Sequence, residues 1–193
     1  MDTEQVDRAV KPTLKALDAV LSLIDRAKAT SVPLKGSVWS LATSKVVGLE
    51  KFEASARDLR RELKEWQDKS ESLERSLREL EEAVEEADEE GTEADYDRII
   101  DEFSEAMRSM EALDEKSARV ETKLRDASER SGNIAERAGG IPVLGSEIQE
   151  KFKVLSIRLS KTADEVVRTN RKPSDVMDVY VHPTPEKDGE TVN

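Results

Sequence analysis

The chain has 193 residues, with 31 Lys or Arg against 43 Asp or Glu, a formal net charge of −12. Charged side chains make up 38% and aromatics only 4%, which argues for helices with wide solvated faces rather than an aromatic-rich globular core. The acidic balance excludes general nucleic-acid binding, which needs a basic footprint, and the absence of Cys and a single His exclude disulfides, thiolate nucleophiles, Ser-His-Asp chemistry and His metal clusters.

The first residues, Met1-Asp-Thr-Glu-Gln-Val-Asp-Arg, are acidic and polar, unlike the basic-then-apolar start of a signal peptide. No stretch of ~18 residues is apolar and free of charge, so no transmembrane segment is expected. These features lead to the expectation of a soluble, intracellular, cytoplasmic protein.

Apolar residues recur in alternating steps of three and four, the helical period. The first helix is expected from about Thr3 to Ala29, on the stripe Val6, Val10, Leu14, Leu17, Leu21, Ile24 and Ala27, with a kink or late start at Pro12. A break follows at 32–36, and Ser37 is the expected N-cap of a second helix that reaches Glu89. From Phe52 its heptad runs Ala56, Leu59, Leu63, Trp66, Ser70, Leu73, Leu77, Leu80, Val84 and Ala87. Gly91 is read as its stop. Thr92, with Asp95 three residues on, has the form of a capping box opening a third helix from about Glu93 to Ala138. Its stripe passes through Tyr96, Ile99, Phe103, Ala106, Met110, Leu113, Ser117, Val120, Leu124, Ala127, Ser131, Ile134 and Ala138. The Gly139–Gly145 segment is a second break. A fourth helix is expected from Ser146 to about Asn170, with 173–193 as a flexible tail.

The two long stripes are complementary. Folded back at Gly91, they meet in layers whose residue numbers add to a constant, among them Leu80–Phe103, Leu73–Met110, Trp66–Ser117 and Ala56–Ala127. Large residues face small ones, as even packing requires. The expected fold is all-α: an elongated antiparallel coiled-coil hairpin of helices 2 and 3, with helices 1 and 4 completing a four-helix bundle at the end far from Gly91. Residues 1–172 form a single helical domain, with a base at about 3–56 plus 127–170, a stalk at about 57–126 and a tip at 88–95.

Charge is uneven along this rod. Between Glu81 and Glu102 stand twelve acids and one base, Arg98, a local charge of −11. Between Lys28 and Phe52, by contrast, four Lys outnumber Glu50. The tip acids Glu85, Glu86, Asp88, Glu89, Glu90, Glu93 and Asp95 read either as a solvated turn or as a binding surface for a basic partner protein. Asp88, Glu89 and Glu90 crowd a helix C-terminus, where the dipole disfavours anions, a cost that a solvated turn leaves unexplained and a binding role would account for. At the base, Val32, Leu34, Lys35, Trp39, Ile141, Val143 and Leu144 either plug the bundle or contact a membrane or hydrophobic partner. Val179, Tyr180, Val181 and His182 are the most apolar part of the tail, either a linker or a short motif that adds a strand to a partner.

No catalytic, cofactor or metal residues are expected. The leading functional expectation is a non-enzymatic spacer, adaptor or scaffold that binds a protein partner. The alternatives are a peripheral membrane-associating protein acting through the base loops, and a homo-oligomeric structural component.

Overall fold

The computed structural model describes residues 3–31, 48–87, 91–139 and 145–181. They form helices α1 (Thr3–Ser31), α2 (Leu49–Glu86), α3 (Glu93–Ala138) and α4 (Gly145–Val181), with no strand among the described residues. The protein is all-α, as the apolar period implies.

The helices form a closed ring in which α1 and α3 each pack against both α2 and α4. Every neighbouring pair is antiparallel. Lys28 near the end of α1 pairs with Glu53 near the start of α2, while Asp7 meets Gln67. Trp66 of α2 meets Ser117 of α3, and Ser76 meets Ser109. Arg125 of α3 reaches Asp164 of α4, and Ser128 meets Ser156. Arg26 of α1 reaches Glu147 of α4, and Arg168 meets Gln5. The result is an up-down-up-down bundle.

The core lies where all four stripes meet. Phe52 of α2 and Phe152 of α4 touch edge to face across the diagonal, with ring centroids 5.0 Å apart. Around them Leu17, Ile24, Leu59, Leu63, Leu124 and Leu155 are buried. The Trp66 indole N–H donates to Ser117 Oγ at 2.9 Å, in a layer expected from the register of the two stripes. Small residues set the α3–α4 approach. Ser128 Oγ donates to the Ser156 carbonyl and Ser156 Oγ to the Ser128 carbonyl, each at 2.9 Å.

Three helix ends differ from expectation. α2 starts at Leu49, not at Ser37, because Gly48 has φ +70°, a left-handed conformation that no helix passes through. Residues 37–47 lie outside the described residues. α2 also ends at Glu86 rather than Glu89, where the backbone of Ala87 turns extended. Five acids between Glu85 and Glu90 crowd the C-terminal pole of the helix dipole, which favours early unwinding. α4 runs through Pro173 to Val181, past the expected end at Asn170. The apolar period continues beyond Pro173 at Val176, Met177 and Tyr180. Pro12 is likewise inside the continuous α1.

α1 folds back along α2 from Glu53, near its start, to Gln67. Its first residue in the helix, Thr3, hydrogen-bonds Glu74. On α2 the cover by α1 passes Ala56 and reaches Gln67.

Candidate functional site: the distal end of α2 and α3

Beyond the reach of α1, the seam between α2 and α3 has a different composition. Its buried residues there are small, Ser76, Ala83 and Ala106, and Leu77, Leu80 and Phe103 are only half-buried. Three large apolar side chains stand outside this seam: Val84 is 53% exposed, Tyr96 55% and Ile100 61%. Val84 and Tyr96 both lie on the stripes expected to form the seam, where Tyr96 would face Ala87 across the turn. The early end of α2 removes Ala87 from the helix, and burial of Ala83 turns the neighbouring Val84 outward. One residue of shift rotates a helical side chain by about 100°.

The turn itself is firmly started. Thr92 caps α3: its hydroxyl accepts from the Asp95 N–H at 3.4 Å, and the Asp95 carboxylate accepts from the Thr92 N–H at 2.8 Å. The Thr92 hydroxyl also donates to that carboxylate at 2.6 Å. Hydrogen bonds from the Thr92 hydroxyl and backbone hold the Asp95 carboxyl below its usual pKa. This is the capping box read from the sequence. Across the turn, Arg98 of α3 pairs with Glu86 of α2 at 2.5 Å, which raises the guanidinium pKa further.

Of the expected tip acids, Glu85, Glu86 and Glu93 are exposed and Asp95 is half-buried in its cap. Asp88, Glu89 and Glu90 lie outside the described residues. Glu81, Glu82, Asp97 and Asp101 are also exposed on the same stretch, so the apolar trio sits in a field of carboxylates. No group of three His, Asp or Glu side chains among the described residues is placed to hold a metal ion. The surface has the chemistry to receive a cationic amphipathic segment, apolar side chains on Val84, Tyr96 and Ile100 and ammonium or guanidinium groups on the surrounding acids.

The other expected sites are placed differently. The base residues Val32, Leu34, Lys35, Trp39, Ile141, Val143 and Leu144 lie outside the described residues. Val179, Tyr180 and Val181 lie in the last turn of α4, and His182 lies outside the described residues. Among the described residues, no helix is long and apolar enough to cross a membrane.

A buried ionic layer escaped the sequence reading. Lys116 of α3 is buried against Glu62 of α2 at 2.5 Å and also pairs with Glu65. Lys123 bonds Glu62 and Asp58, each at 2.6 Å. Hydrogen bonds from Lys116 and Lys123 hold the Glu62 carboxyl at a pKa of about 2. Burial works against the Lys116 ammonium, but the bonds from Glu62 and Glu65 outweigh it and its pKa is raised. The antiparallel register carries a signal for this layer, since acids beside the α2 stripe oppose lysines beside the α3 stripe. Hydropathy alone assigns all of them to solvent.

No protein family, curated protein or solved structure matches this chain.

Proposed function

We propose that the protein is a non-enzymatic interaction protein, a helical spacer or scaffold that presents the distal end of α2 and α3 to a basic, amphipathic segment of a partner protein. The observation behind this reading is the exposure of Val84, Tyr96 and Ile100 in the stretch with a local charge of −11. Scattered apolar residues on a surface are ordinary, but a cluster at the end of a narrow two-helix projection, ringed by one sign of charge, suits an interface with an apolar centre and a charged rim. The long bundle holds that end at a fixed distance from the base, a mechanical reason for its length. A cytoplasmic location accompanies this reading.

The test is a titration with a model peptide of alternating Lys and Leu at helical spacing, followed by fluorescence anisotropy at several salt concentrations. The expected result is saturable binding that weakens as salt rises and is lost in a Val84→Asp, Ile100→Asp variant whose circular dichroism is unchanged. Equal binding by wild type and variant, or none by the wild type, removes the reading.

A further inference from the structure

The N-terminal half of α1 and the middle of α4 leave a groove between them of about 400 Å³. Its walls carry Arg8 from α1 and Arg158, Lys161 and Arg168 from α4, against the single carboxylate of Glu165. The lining therefore has a formal charge of +3 in a chain of net charge −12. Pro12 and Ala9 are short side chains on the α1 wall and leave the space between the cations open.

The hydroxyls of Thr13 and Thr162 lie below this space and are committed elsewhere. They bond each other at 2.7 Å, and both lie 3.3 Å from the Ala9 carbonyl. The recognition elements left to the groove are its cations. Arg8 pairs with Glu4, and Arg168 pairs with Glu165 at 2.6 Å and meets Gln5 at 3.4 Å. Arg158 and Lys161 are exposed and have no hydrogen-bond or ion-pair partner among the described residues. Exposed pairs such as Arg168–Glu165 contribute little and exchange readily for a stronger anion.

We propose that this α1–α4 groove, lined by Arg8, Arg158, Lys161 and Arg168, binds a compact multivalent phosphate anion. Arginine forks fit phosphate oxygens bidentately, and a local +3 favours a ligand with more than one negative charge. A long polyanion would run beyond the groove into the general acidity of the chain, which limits the ligand to a small group. A soluble phosphate ester or diphosphate and a phosphomonoester lipid headgroup share this chemistry.

The experiment uses the full chain and has two arms. Calorimetric titration with inorganic pyrophosphate at constant ionic strength tests the soluble source, and flotation with phosphatidic acid vesicles, against phosphatidylcholine vesicles, tests the lipid source. Saturable pyrophosphate binding without flotation identifies a soluble ligand; flotation with phosphatidic acid alone identifies the headgroup. In either arm the Arg158→Gln, Lys161→Gln variant is expected to lose at least about tenfold in affinity, since both charge-assisted contacts go. Glu165→Gln, which frees Arg168, is expected to tighten binding by about twofold to threefold. Absence of binding in both arms overturns the proposal, as does a double variant that binds like wild type. If circular dichroism shows that the double variant has lost helix, Glu165→Gln alone decides, and an unchanged affinity overturns the proposal.

Discussion

The two ends of the α2–α3 pair are written in the same heptad yet pack differently. In the proximal part, Phe52, Leu59, Leu63 and Trp66 are buried because α1 and α4 close the other sides of the core. In the distal part the same spacing leaves Val84 outside and takes up Ala83 instead. Two helices alone bury one narrow seam, and here it is filled by small residues, Ser76, Ala83 and Ala106. A heptad specifies a face, and the number of helices around that face decides how much of it becomes core.

The largest expected effect tests this contrast directly. Phe52→Ala removes a ring that is 1% exposed and loses its contact with Phe152, so it should cost about 3–5 kcal/mol in urea unfolding. Ile100→Ala, at a residue 61% exposed, should stay within ~0.5 kcal/mol. A comparable loss at both positions would mean that the distal surface is packed, and the contrast would fall.

The ionic layer sharpens the comparison through pH. The Glu62 side chain is only 10% exposed, and its folded pKa of about 2 lies below the ordinary 4.5. Its stabilisation is therefore present above about pH 4.5 and is lost as pH falls through about 2. At 1.36 kcal/mol per pKa unit the contribution is about 3 kcal/mol at most. Glu62→Gln should lower stability at neutral pH by about 2–3 kcal/mol and flatten the acid limb of the stability profile over that window. An unchanged acid limb would show that Lys116 and Lys123 are neutralised by Asp58 and Glu65 without it.

Much of this arrangement is legible in the residues. The α1 stripe, the Trp66–Ser117 layer and the Thr92–Asp95 cap each follow from spacing and side-chain size, because each is decided within one or two helices. The start of α2 is not legible in that way. Ser37 is a sound cap by residue type, and only the left-handed φ of Gly48 shows that the helix begins later. The apolar surface at Val84, Tyr96 and Ile100 was hidden for a related reason. Ala83 and Val84 are both apolar, as are Ile99 and Ile100, and a periodic pattern cannot say which of two neighbours faces a seam whose width depends on the other helices. The Glu62–Lys116 pair needed the register before its charges could be seen as partners rather than as two solvated residues.

The smallest expected effect is local. Thr92→Ala removes the hydroxyl that caps α3, a loss of about 1 kcal/mol for a helix start. The distal end lies beyond α1, so that loss should appear as faster hydrogen exchange at Asp95 and Tyr96, with no change at Leu63 or Leu124 in the four-helix core. The Asp95 carboxyl, held low chiefly by the Thr92 hydroxyl, should move up toward the ordinary range in an NMR titration, and Thr92→Ser should restore it. If exchange instead accelerates along the whole of α2 and α3, the cap supports the entire hairpin. The distal end would then be a cooperative extension of the bundle rather than a separately stabilised projection, because a defect of this size can spread only where the elements unfold together.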